Sequence, residues 1–172
     1  GRITLLNPGS RADSRLNAEV GAELASMICE AKEASHQGKT QAIYVVRSSP
    51  VRRVGSLMNE DADLSEHKEV LVSCQAVVDK LRDMGRLIGA EAKRAHSFLQ
   101  LNEQRWPDEP SIEDGSILLI DSLSVSYLQS VKLLEKIADA GFTILVSESF
   151  AEENRSLLSL QRMSEKIESL IE

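Results

Sequence analysis

Three short runs, Gln41-Ala-Ile-Tyr-Val-Val46, Ser116-Ile-Leu-Leu-Ile120 and Phe142-Thr-Ile-Leu-Val146, are apolar at nearly every position rather than at alternate ones. A strand with one wet face alternates, whereas a strand covered on both faces does not, so runs of this kind belong inside a mainly parallel sheet flanked by helices. A fourth β-rich run, Ile3 to Asn7, is stopped by Pro8-Gly9.

Between these runs the apolar residues recur at three and four. Val20, Leu24, Met27, Ile28 and Ala31 mark one helix over Ala18 to Ser35, closed by Gly38. Val70, Leu71, Cys74, Val77, Val78 and Leu81 predict a second over Ser65 to Asp83, and Ala90 to Gln104 a third. Gly85 and Gly89 bracket the connection of an αα-hairpin. Trp106-Pro-Asp-Glu-Pro110 reads as loop. Val125 to Ala140 is a further helix with Gly141 as its C-terminal cap, and a last one starts near Ser149. About four strands alternating with helices give an α/β fold, a three-layer α/β/α sandwich on a mainly parallel sheet, in one domain of 172 residues.

Composition narrows the function. With 42% hydrophobic and 27% charged residues the chain is a folded protein, which removes disordered and fibrous classes. A net charge of −7 argues against nucleic-acid binding through bulk positive potential, yet leaves room for a nuclease that holds cations in an acidic pocket. No apolar run is long enough for a membrane helix, so no membrane partner and a cytoplasmic location are expected. Cys29 and Cys74 lack C-x-x-C partners and read as buried thiols. A start at Gly1-Arg2-Ile3 and an end inside an apparent helix lead us to expect a piece of a larger multidomain protein.

Several motifs fail on spacing. Gly38-Lys39-Thr40 resembles the end of a P-loop, but Glu33 stands where its first glycine belongs and a strand follows where a helix should. Asp61-Ala-Asp63 opens like a calcium loop, yet Glu66 and Val72 occupy the glycine and glutamate positions. His36, His67 and His96 have no mutual ligand spacing, and there is no G-x-S-x-G.

What remains is a set of carboxylates. Asp121 emerges at the carboxyl end of a buried strand, where α/β sheets bind ligands; it and Ser122 are equally suited to cap the next helix. Ser147-Glu148-Ser149 ends the neighbouring strand. Beyond it Phe150, Glu153 or Asn154, and Leu157 share a helix face, which turns Glu153 inward and Glu152 outward. An inward carboxylate needs either a basic partner or a cation shared with Asp121. Glu60, Asp61 and Asp63 form a third acidic group, which serves equally as caps for the segment from Ser65. Arg47, Arg52 and Arg53 follow the second strand on the same edge, placed either for a phosphate backbone or for solvent.

The segment Gly115-Ser-Ile-Leu-Leu-Ile-Asp121-Ser-Leu-Ser-Val-Ser-Tyr-Leu-Gln129, with Leu133-Leu-Glu-Lys136, Ala140-Gly-Phe142 and Val146-Ser-Glu-Ser-Phe-Ala-Glu-Glu153, resembles the start of a PIN-type nuclease domain. Together with Val54 to Ser65, Ser73 to Leu81 and Glu103-Gln-Arg-Trp-Pro107, it is similar to the PIN-like region of large bacterial proteins that join tetratricopeptide repeats, a Gre-factor-like segment and a PIN domain. The similarity spans about residues 42 to 160.

The resemblance implies an acidic site binding Mg²⁺ or Mn²⁺ that hydrolyses phosphodiesters, usually in RNA, with the other domains of the parent protein as further partners. By it Asp121 matches the first-strand aspartate and Glu153 the glutamate of the following helix, as catalytic and metal-binding residues, with Glu152, Asp61 and Asp63 as further metal candidates. Arg47, Arg52, Arg53, Ser122, Ser147 and Ser149 would contact substrate or orient ligands. Two departures stand out. Leu123 replaces the usual asparagine or serine two positions after the first aspartate, and the strand carrying the remaining family aspartates is expected beyond Glu172. The rival reading is therefore a non-catalytic scaffolding or regulatory domain. A third is a nucleotide sensor at the Asn7-Pro8-Gly9-Ser10 turn.

Overall fold

The computed structural model describes residues 2–6, 14–38, 41–58 and 60–147. Five parallel strands, β1 (Arg2–Leu6), β2 (Ile43–Val46), β3 (Leu71–Val72), β4 (Ile117–Ile120) and β5 (Thr143–Ser147), form one sheet in the order β1-β5-β4-β2-β3. The six described helices are α1 (Ser14–Val20), α2 (Ala22–His36), α3 (Cys74–Asp83), α4 (Gly89–Asn102), α5 (Ser122–Ser130) and α6 (Leu134–Asp139). The α/β sandwich and the parallel sheet expected from the apolar runs are thus the observed architecture. None of the described helices is long and apolar enough to cross a membrane.

The continuous apolar runs are explained by two cores. Tyr44, Val46, Leu118, Ile120, Ile144 and Val146 face a layer built from α3 to α6. Val45, Leu71 and Leu119, from the opposite pleat, pack with Met27, Ile28 and Leu24 of α2. Each residue of the central strands therefore has a buried destination whichever way it points.

Three element boundaries differ from the periodicity. The helix expected over Ala18 to Ser35 is two helices divided at Gly21, whose φ of 90° is open to glycine and costly for other residues. The helix expected from Ser65 is only a 3₁₀ turn at Ser65–His67, followed by β3. Leu71 and Val72 fit the helical spacing, but alongside β2 they are fully buried, and Val70 and Val72 accept ladder bonds, Val45 N–H to Val70 O at 2.7 Å and Arg47 N–H to Val72 O at 3.0 Å. Burial is worth ~1.5–3 kcal/mol per side chain, against a helix-propensity difference of about 0.5 kcal/mol per residue, so the sheet wins. The third helix region, Val125 to Ala140, is interrupted after Ser130, where Lys132 adopts a left-handed φ of 60°.

The sheet has one topological switch point. After β2 the chain moves outward to β3, and after β4 it moves the opposite way to β5, so the carboxyl ends of β2 and β4 flank a crevice. The residues leaving those two strands are Arg47 and Asp121.

Candidate functional site

Val46 and Ile120 are in register on adjacent strands, and the side chains of the residues that follow them, Arg47 and Asp121, meet. Arg47 Nη1 donates to Asp121 Oδ2 at 2.8 Å. Asp121 also caps α5: its Oδ1 accepts from Ser124 N–H at 2.9 Å, and its backbone oxygen accepts from Val125 N–H at 2.9 Å. The cap predicted for Asp121 or Ser122 is thus made by Asp121.

The electrostatics follow from burial. Asp121 is 2% exposed, and loss of water pushes its carboxyl upward while the Arg47 guanidinium beside it pulls the other way. Arg47 keeps a fifth of its side chain in solvent, so the pair is buried at one end and open at the other. Its backbone oxygen accepts from Trp106 Nε1–H and its Nε donates to Ser48 O at 3.3 Å, which fixes the end of β2.

Two side chains complete the immediate surroundings. Glu23, in the first turn of α2, accepts from Ser122 Oγ–H at 2.6 Å and from Ser122 N–H at 3.4 Å. The Ser124 hydroxyl is wholly buried against the Asp121 carboxylate and lacks a well-formed hydrogen bond. Neither Glu23 nor Ser124 stood out in the sequence, since one is an ordinary first-turn acid and the other one of several serines.

Below the crevice lies a buried polar layer. Cys74 Sγ is 4.0 Å from both Ser48 Oγ and Ser124 O, and burial, with the Glu103 charge nearby, pushes its thiol well up. Glu103 caps the start of α3, accepting from Gln75 N–H at 3.0 Å and Cys74 N–H at 3.4 Å, and burial raises it to about 6. Glu109 accepts from Ser73 N–H at 3.0 Å. The chain's own carboxylates thereby take the positions that an anion would occupy at this helix N-terminus.

The other candidate residues lie apart from the crevice. Arg52 pairs with Asp61, and Arg53 with Glu60 at 3.0 Å, across an exposed antiparallel arm that follows β2. Asp63 accepts from Ser65 N–H and Oγ–H, which hold its carboxyl below the usual range. Neither Asp61 nor Asp63 bonds to Asp121. Ser147 is the last residue of β5, on the same sheet edge. Ser149, Glu152, Glu153 and the Asn7 to Ser10 turn lie outside the described residues. His96 pairs with Asp79 at 2.8 Å, and no group of three or more His, Cys, Asp or Glu among the described residues forms a metal centre.

Asp121, Glu23 and the Ser124 hydroxyl carry hard oxygens of the kind Mg²⁺ and Mn²⁺ select, but Glu23 is engaged by Ser122 and both Asp121 oxygens by Arg47 and Ser124 N–H. No protein-family model matches this chain, and neither a curated protein nor a solved structure matches it.

Proposed function

We propose that the chain is a PIN-like, metal-dependent nuclease module that cleaves RNA phosphodiesters at the β2/β4 crevice. The observation that carries this reading is Asp121: a carboxylate 2% exposed, at the switch point of a parallel sheet, beside an unsatisfied hydroxyl and facing an arginine that reaches solvent. Asp121 and Glu153 would hold Mg²⁺ or Mn²⁺, with Ser124 orienting the Asp121 carboxylate and Glu23 steadying Ser122. When bound, the cation supplies an activated water and neutralises charge building on the phosphate. Arg47 is the residue placed to receive a substrate phosphate once a cation takes over its role as counter-ion to Asp121, and its planar fork suits a phosphate oxygen pair.

The second reading, a non-catalytic scaffolding or regulatory domain, is favoured by a specific observation. Both Asp121 oxygens already have partners, Arg47 and Ser124 N–H, so the carboxylate is complete as a cap and ion pair.

Calorimetry with Mn²⁺ at near-physiological salt, on the wild type and on the Asp121→Asn, Glu153→Gln double variant, separates the two. Micromolar binding that disappears in the double variant, together with Mn²⁺-dependent cleavage of labelled single-stranded RNA, establishes the nuclease reading. A wild type that binds no Mn²⁺ establishes the scaffold.

A further inference from the structure

Among residues other than those of the crevice, α4 and the turn between α5 and α6 enclose a cleft of about 570 Å³. This lies within the ~300–1,000 Å³ typical of small-molecule sites. Its apolar lining is Phe98 with Ala95, Val131 and Leu133. Phe98 is held edge-to-face against Tyr127, with ring centroids 6.4 Å apart and planes at 75°, so its ring has one preferred setting.

The rim reverses the charge of the whole molecule. Arg94, Lys132 and Lys136 line it against a single acid, Glu91, on a chain whose net charge is −7. Glu91 is already fully engaged: Oε2 meets Lys136 Nζ at 2.8 Å and Oε1 accepts from Ile88 N–H at 3.2 Å. Arg94 and Lys132 have no ion pair or side-chain hydrogen bond among the described residues, Arg94 being influenced by Glu91 only through space. Lys132 is moreover held at φ 60°, a conformation that glycine or asparagine adopts at less cost. A second cleft, bounded by Asp79, Lys80 and Arg105, offers a contrast, because its charges are cancelled internally: Arg105 pairs with Asp79 and Lys80 with Asp114.

We propose that this α4/α5–α6 cleft binds a nucleotide, its base stacked on Phe98 and its phosphate held by Arg94 and Lys132. An aromatic lining beside two cations that form no ion pair among the described residues matches a ligand that is planar and apolar at one end and anionic at the other. Arginine grips phosphate through paired N–H groups, and base-on-aromatic stacking is tolerant of base identity. The nucleotide is either free or part of a single strand of nucleic acid. The proposal stands independently of the metal site, since it uses none of its residues.

The test is calorimetry with AMP, adenosine and inorganic phosphate, and anisotropy with a fluorescein-labelled hexa-adenylate, all in EDTA so that no divalent cation contributes. The wild type is expected to bind AMP saturably and adenosine about tenfold more weakly or worse, the loss of charge-assisted hydrogen bonds setting that scale. Arg94→Gln with Lys132→Gln is expected to weaken AMP at least as much, and Phe98→Leu, which keeps an apolar lining, to weaken AMP and adenosine alike. Hexa-adenylate binding far more tightly than AMP identifies a strand as the ligand, and equal affinity identifies the free nucleotide. Absence of AMP and hexa-adenylate binding by the wild type overturns the proposal. So does unchanged binding in the Arg94, Lys132 variant, or an equal loss in the control Arg86→Gln, Lys93→Gln, whose charges lie outside the cleft.

Discussion

Arg47 and Asp121, 74 residues apart in the chain, close into an ion pair of 2.8 Å because they are the residues that leave two adjacent parallel strands in register. The pair joins the two halves of the sheet at its switch point and anchors the start of α5.

Removing one partner strands the other. Arg47→Met leaves a buried carboxylate without its counter-ion and is expected to destabilise the fold by roughly 3 kcal/mol, the lower end of the range for broken buried pairs because Arg47 is partly in water. Adding Asp121→Asn, which removes the orphaned charge and keeps an oxygen for the α5 cap, should recover a substantial part of that loss. Urea unfolding of the two single variants and the double reads the coupling.

Glu103 makes stability depend on pH. Its folded value, about 6, lies above the ordinary 4.5, so between the two the native state binds more protons than the unfolded chain. The stability it contributes is full below about 4.5 and falls as pH rises through 6, by about 2 kcal/mol in total. Glu103→Gln cannot ionise, so the difference in unfolding free energy between variant and wild type should shift in the variant's favour by about that amount from pH 4.5 to pH 7.5. A pH-independent difference would refute the assignment.

The two-sided burial of the central strands sets the cost of truncation. Leu119→Ala, at a fully buried position of β4 facing α2, is expected to cost ~2–5 kcal/mol by denaturant unfolding. Leu101→Ala, 85% exposed on α4, should stay within about 0.5 kcal/mol.

Lys132 trades stability for position. Replacing it with glycine relieves the left-handed backbone and is expected to stabilise the protein by roughly 0.5–1 kcal/mol, while weakening nucleotide binding in the α4/α5–α6 cleft. A thermal melt and an AMP titration on the same variant read both effects.

The strands Ile43–Val46, Ile117–Ile120 and Thr143–Ser147 were legible because a strand buried on both faces leaves a local mark, a short run apolar at nearly every position. The α3/α4 hairpin was equally legible from periodicity and its glycines. β3 was not, because two residues carry no period of their own and Leu71 and Val72 also satisfy the helical spacing. Only the exposed edge of β2 turned them into a strand.

The candidate site divides in the same way. Asp121 could be found from the sequence, since a polar residue directly after a buried run marks the functional edge of a parallel sheet. Its partner could not be singled out from Arg47, Arg52 and Arg53, because which of three nearby arginines faces Asp121 depends on the order and register of strands far apart in the chain. Glu23, Ser124 and the Phe98 cleft were hidden for the same reason: local sequence encodes which residues must be buried and which can cap or turn. The pairing of one buried charge with another is decided only when the sheet assembles and the loss of water forces each polar group to find a partner within reach.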